Sequence, residues 1–245
     1  MSLIDAPISI TGLFSEEDEH ADSLVDNSQV QSEFEEVYEV QSIEVGGKSL
    51  SIRQFSFHPQ NANRIWRGTF VLSDYLIDLA ERNRNFKQSC ILELGSATGV
   101  LAISLTLNGF TSLVTSDVDD QQVETNIRHN CNLNGVEPLP HIGHNWGDDW
   151  PLEENNCYDY IIASDILLYI NFYVPLVNTL SSLMKNKPNV TFIMSWQRRM
   201  KESLTFFQLM AEAGFSITDE GRRVYTFCYG SEISTVAKGD RYKYV

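Results

Sequence analysis

Positive charge is missing from the front of this chain. No Lys or Arg precedes Lys48, while twelve Asp and Glu lie there; the formal net charge is −15, so about −3 remains for everything after residue 47. Nothing in that balance makes a basic nucleic-acid footprint, and no nucleic-acid partner is expected. Residues 1–35, centred on Ser15-Glu16-Glu17-Asp18-Glu19, read by composition as an acidic, disordered segment ahead of a folded domain over 36–245. Long apolar runs are also lacking: none approaches the roughly 18 residues that span a bilayer. The first sixteen residues carry no basic region followed by an apolar one, so no secretory signal is expected. The four cysteines (Cys90, Cys131, Cys157, Cys228) form no C-x-x-C pair, and free thiols in a reducing compartment follow. A cytoplasmic monomer, with access to the nucleus, is the expectation. His141 and His144 form H-x-x-H without a third ligand at a sensible spacing, so no metal is expected. No Ser-His-Asp arrangement stands out.

What is present is organised around Ile91-Leu92-Glu93-Leu94-Gly95-Ser96-Ala97-Thr98-Gly99-Val100. The apolar run Cys90–Leu94 predicts a buried parallel strand, and Val100–Leu107 opens a helix after a turn of small residues. Glycine in such a turn lets the backbone approach a ligand that a Cβ would block. A second apolar strand, Ser112–Val114, delivers Asp117, an acid placed to bond both hydroxyls of a ribose. A dinucleotide turn would read G-x-G-x-x-G and face a pyrophosphate. Here Glu93 precedes the first glycine. A carboxylate would repel a pyrophosphate but tolerate or favour a cationic ligand.

The rest of the chain supplies repeated βα units. Val37–Val45 and Ser49–Phe55 alternate with period two across Gly46-Gly47, predicting a β-hairpin over 37–55, a candidate lid or edge. Residues 70, 71, 75, 76 and 79 have helical spacing, so a helix runs to about Arg82. Trp66 sits just ahead of it, where it can act as a staple. Asp119–Asn134 predicts a helix with Asp119 or Asp120 at its N-cap, and Asn126, Asn130 and Asn134 recur every four residues as one polar stripe suited to packing or hydrogen bonding rather than catalysis. Strands follow at Pro140–Trp146, Tyr158–Asp165 and Val190–Trp196, and helices at Phe172–Met184 and Met200–Ala213. Strands Ser216–Asp219 and Val224–Tyr229 close the chain. The class is α/β, with a doubly wound, mostly parallel sheet of the Rossmann type and an N-terminal hairpin.

In order along the chain stand Ile65-Trp66-x4-Val71-Leu72-x2-Tyr75-Leu76, the E-L-G turn, Asp117, Asn145-Trp146, Ala163-Ser164-Asp165, Ser195-Trp196-Gln197-Arg198-Arg199, Phe206-Phe207 and Ala213-Gly214-Phe215. This set resembles the seven-β-strand methyltransferases that use S-adenosylmethionine, and within them the protein-lysine methyltransferase group that modifies elongation factors, chaperones and similar proteins. The resemblance covers about residues 37–225. It implies a seven-stranded sheet and assigns Trp66, Glu93, Gly95, Gly99, Asp117, Trp146 and Ala163 to the cofactor. Asp117 takes the ribose hydroxyls, Trp146 flanks the adenine, and Ala163 with Asp165 stands where substrate meets the methyl group. It implies a protein substrate such as a translation factor or chaperone.

Two departures matter. Ala97 stands at the second glycine of the turn. The lysine-modifying branch carries [DE]-x-x-[YF] after the fourth strand, whereas this chain has Asp165-Ile166-Leu167-Leu168, with Tyr169 one residue late. Lysine, arginine and small-molecule amines therefore stand as acceptors, and a catalytically silent cofactor-binding module is the rival class. As catalytic residues, Asp165 is expected to orient the acceptor amine and Tyr169 to wall it. Asp165 could equally cap the helix that follows it.

Overall fold

Period-two alternation meets at Gly46-Gly47 and makes the expected hairpin, β1 (Tyr38–Val45) and β2 (Lys48–Phe55), in register from Tyr38↔Phe55 to Val45↔Lys48. Gly46 has φ +56° and its missing Cβ would sit 2.6 Å from Ile77, so the turn needs glycine both for its conformation and for its contact with the helices beneath. The computed structural model describes residues 37–151, 158–197 and 201–230. The acidic segment 1–35, for which composition predicts disorder, lies outside the described residues, as do Cys157, Arg198 and Arg199.

After the hairpin come α1 (Arg67–Arg82), β3 (Cys90–Leu94), α2 (Val100–Leu107), β4 (Ser112–Asp117), α3 (Gln121–Leu133), β5 (His141–Gly143), β6 (Tyr160–Ser164), α4 (Tyr173–Met184), β7 (Thr191–Ser195), α5 (Leu204–Glu212), β8 (Phe215–Gly221) and β9 (Val224–Tyr229). The sheet has seven strands in the order β5-β4-β3-β6-β7-β9-β8. Six run in one direction, and β9 runs against them, pairing antiparallel with both β7 and β8. Its strands are short apolar runs because both faces are covered. Leu92, Leu94, Ile161, Ala163, Phe192 and Met194 face a core with α4 and α5, whereas Ile91, Ile162 and Ile193 face α1 and α2.

The strand expected over Pro140–Trp146 is shorter. Only His141–Gly143 pairs, because β4 ends at Asp117, whose carbonyl already accepts the His144 N–H at 2.8 Å. The chain then turns. The helix expected over Met200–Ala213 begins, within the described residues, as a 3-10 turn at Lys201–Ser203 before α5.

The asparagine stripe of α3 explains how the hairpin is held. It is neither a lid nor an edge of the large sheet. Asn134 Oδ1 accepts the Ser51 N–H at 2.9 Å, and its amide donates to Ser51 O at 2.9 Å. Asn130 does the same for Arg53, at 2.8 and 3.0 Å, and Asn126 donates to Arg53 O at 3.1 Å. Four helical residues rise about 6 Å and two strand residues about 6.7 Å. Asparagines spaced by four therefore imitate a neighbouring strand for residues spaced by two. Beneath them Val45, Leu50 and Ile52 pack on Val100, Ile103, Val123 and Ile127. This is why α2 is apolar almost all round: it lies between sheet and hairpin.

Asn130, fully buried, also donates to Thr98 O at 2.9 Å. Asn130→Ala would strand buried backbone groups at about 1–3 kcal/mol each, so urea unfolding should show a loss of about 2–4 kcal/mol. The half-buried Asn134→Ala should lose less.

Candidate active site

Strand order reverses between β3 and β6, and open α/β sheets bind ligands at the carboxyl ends of such strands. A cavity lies there, enclosing about 790 Å³ of space free of protein atoms, part of it open to solvent. Of the residues expected there, Trp66, Gly95, Asp117, Trp146, Asp165 and Tyr169 line it. Glu93, Gly99 and Ala163 do not. Glu93 and Ala163 are buried behind the wall, and Gly99 is the N-cap of α2.

The turn after β3 is shaped for close approach. Gly95 has φ +68°, and a Cβ there would lie 2.7 Å from Ile166 Cγ2 and 3.8 Å from Trp146. Ala97 keeps a left-handed backbone, φ +49°, despite its Cβ, a conformation costing about 1–2 kcal/mol for L-residues. It aims its N–H at Asp117 Oδ2 at 2.6 Å, while Oδ1 accepts from Val118 N at 2.8 Å. Burial pushes the Asp117 carboxyl upward, and these two N–H groups oppose the rise. Glu93 is pushed up to about 8 by burial first and by the Asp117 charge second. Its Oε2 is buried without a hydrogen-bond partner. The protein thus holds two buried acids behind and beside one cavity, and a cationic ligand group nearby would relieve their repulsion.

Asp165 sits across the mouth, 4% exposed, with φ +54°. Its Oδ2 accepts the Gly68 N–H at 2.7 Å. It thereby caps the first turn of α1, whose own N-cap residue, Trp66, makes no side-chain cap. Ser195 Oγ donates to Gly68 O at 2.8 Å, and Thr69 Oγ1 meets Ser164 Oγ at 3.1 Å. The first turn of α1 is therefore tied to the ends of β6 and β7. Three non-glycine residues with left-handed backbones, Asn61, Ala97 and Asp165, line the cavity, and such strain concentrates at functional sites.

Tyr169 is more exposed. Its hydroxyl receives the Asn61 side-chain amide and donates to Pro59 O at 3.3 Å. Its ring leads through Phe172, 6.1 Å away, to Trp146, a further 6.3 Å. Leu168 occupies the position where the resemblance expects an aromatic residue, and it lines the cavity too. The residues that sequence reasoning missed are Gln60, Asn61, Ala62, Val118, His144, Ser164, Ile166, Leu168 and Phe172. Most stand in loops without periodicity, so no spacing marks them. His141 and His144 diverge: His141 Nδ1 meets Thr115 Oγ1 at 3.0 Å, whereas His144 Nε2 meets Asp148 O at 3.1 Å. Among the described residues no group of three metal-ligating side chains converges, and no helix is long and apolar enough to cross a membrane.

Comparison with known proteins agrees with this geometry. A family model described as lysine methyltransferase matches residues 45–213. The chain is similar to the protein N-terminal and lysine N-methyltransferase EFM7 of Cryptococcus neoformans, 26% identical over 59% of this chain and 50% of that protein. It therefore spans about half the length of that relative. It is also similar to the mouse EEF1A lysine methyltransferase 3, 27% identical over 70% of this chain and 72% of that one. Among solved structures, the T. thermophilus 16S rRNA N2 G1207 methyltransferase in complex with AdoMet and guanosine has a TM-score of 0.53 at 15% identity, covering 79% of this chain and 51% of that one. That likeness is one of fold.

Proposed function

This chain belongs to the lysine methyltransferase family, and from that premise we propose that it methylates a lysine side chain of a partner protein using S-adenosylmethionine. The observation that carries the reading is the meeting of Gly95, Asp117, Trp146 and Asp165 in one cavity at the point where strand order reverses. These residues fit the cofactor. Asp117 keeps a free lone pair on each oxygen for the ribose hydroxyls, Gly95 offers backbone where a Cβ would intrude, and Trp146 presents a ring to the adenine. Glu93, which burial and the Asp117 charge hold protonated, would be drawn toward ionisation by a sulfonium charge nearby. When bound, the cofactor supplies a methyl group on that sulfonium, ready for in-line displacement.

The chain's own task is positioning. A lysine ammonium has no lone pair, so it must lose a proton at the mouth before it can react. Asp165, facing the cavity, accepts an N–H of the amine and orients it, while Leu168, Tyr169 and Phe172 exclude water around it. Asn tolerates a left-handed backbone and its oxygen can still accept from Gly68. Asp165→Asn should therefore melt within a few degrees of the wild type while kcat falls by about tenfold or more. A collapse in Tm with kcat per folded molecule unchanged would assign Asp165 to capping alone.

The names of the mouse and fungal relatives point to a translation factor as partner, and to a protein N-terminal amine as a further acceptor. A cytosolic site of action follows from that partner. The test is transfer of radiolabelled methyl from S-adenosylmethionine into an extract of the source organism depleted of methylation, resolved on a gel. A discrete labelled band is expected. Label confined to the small-molecule fraction would replace the protein acceptor with a free amine. No label, with cofactor binding shown separately, would favour the silent module.

A further inference from the structure

Residues 56–66, between the hairpin and α1, contribute Gln60, Asn61, Ala62 and Trp66 to the cavity wall, yet pair with no strand and form no helix. A wall without regular structure needs other ties. Asn63 donates to Phe55 O at 2.9 Å, Trp66 Nε1 to Asn61 O at 3.2 Å, and Ile65 N to Gln54 Oε1 at 3.0 Å. All of these are local. Two polar ties among the described residues reach across to other parts of the site: the Asn61 amide to the Tyr169 hydroxyl at the mouth, and His58 to Asp120.

His58 is 4% exposed and lies edge-on to Phe55, ring centres 5.9 Å apart. Two backbone N–H groups point at its Nδ1, from Gln60 at 3.2 Å and Ala62 at 3.5 Å. Nδ1 is thus the acceptor and the ring proton belongs on Nε2. Nε2 faces Asp120 Oδ2 at 3.4 Å. The other oxygen of Asp120 is already committed, accepting Gln122 N at 2.7 Å as the N-cap of α3. Asp120 ends the short turn that begins at Asp117, and Val118 between them lines the cavity. One imidazole therefore joins the irregular wall to the turn that carries the proposed ribose anchor. An apolar ring would fill the same space, but it could satisfy neither the two N–H groups nor the carboxylate.

We infer that His58 is a positioning residue for the cofactor: its link to Asp120 holds the 56–66 wall at the right distance from Asp117, so that the slot between them fits the ligand. This rests on the cofactor reading above. The two halves of the imidazole can be separated by substitution. Asn offers an acceptor where Nδ1 stands, but falls short of Asp120. Gln reaches as far as Nε2 and can donate to it. Asp120→Asn cuts the same link from the other side, because its oxygen can still cap α3 while its NH₂ opposes the His58 proton.

The experiment is calorimetric titration of the full chain and each variant with S-adenosylhomocysteine, with KM and kcat for S-adenosylmethionine wherever turnover is measured. His58→Asn and Asp120→Asn should each raise the dissociation constant about tenfold and raise KM in parallel, with kcat at saturation within about twofold. His58→Gln should recover most of the affinity. Should His58→Asn fail to fold, Asp120→Asn and His58→Gln still decide the matter. Wild-type affinity in the link-cutting variants, with only Tm lowered, would overturn the inference and leave the cofactor reading standing. Failure of the wild-type chain to bind the probe would overturn that reading and this inference with it.

Discussion

Asp117→Asn is expected to weaken binding of S-adenosylmethionine by about a hundredfold in a protein that still folds. The carboxylate ends β4, is 8% exposed, and lines the cavity. Each of its oxygens already takes one backbone N–H, from Val118 and from Ala97. Each retains a lone pair toward the cavity. Two ribose hydroxyls bonded to a charged acceptor at about 1.5 kcal/mol apiece correspond to about two orders of magnitude in affinity. The amide cannot copy this. Whichever way it turns, its NH₂ meets one of the two N–H groups, leaving two donors face to face. A stability loss of about 1–3 kcal/mol should accompany the loss of affinity. Calorimetric titration beside a thermal melt separates the two effects, and unchanged affinity would remove Asp117 as the ribose anchor.

The second large effect concerns Glu93 and pH. Its carboxyl rises from 4.5 to about 8 in the folded chain, driven first by burial and then by the charge of Asp117. Of the two acids Glu93 is the one that holds the proton, because Asp117 is met by two N–H donors while Glu93 Oε2 has no hydrogen-bond partner. Between those pKa values the folded state binds more protons than the unfolded state, so stability falls as pH rises. The contribution is complete below about pH 4.5, declines up to about pH 8 and is gone above it. One pKa unit is about 1.4 kcal/mol, so the decline amounts to a few kcal/mol. Glu93→Gln imitates the protonated acid. Its unfolding free energy should lose most of this slope, keeping a smaller one from Asp117, and at pH 9 it should exceed the wild type. Parallel pH profiles for the two proteins in denaturant melts would show that Glu93 is not the group responsible.

The polar stripe on α3 shows how far spacing alone can reach. Three asparagines at intervals of four mark one polar face, for packing or hydrogen bonding, and the structure makes it a hydrogen-bonding one. The hairpin they bind was independently legible from alternation around Gly46-Gly47. What spacing did not reveal is that the two belong together, since Asn130 and Arg53 are 77 residues apart. The short β5 teaches the converse. The sequence reads Pro140–Trp146 as one strand, but pairing stops after Gly143 because the neighbouring strand ends at Asp117.

From the amino-acid order alone came the element types, the doubly wound sheet, the glycine turn and Asp117. These depend on local periodicity and on residues a few positions apart, which the chain carries in linear form. The tertiary structure alone decided the rest. It committed the Asp165 carboxylate to Gly68, 97 residues earlier. It set Glu93 behind the cavity wall, brought Leu168 as well as Tyr169 to the mouth, and built one side of the site from the irregular residues 56–66. These choices are made by hydrogen bonds between loops distant in sequence, and such contacts leave no period to read.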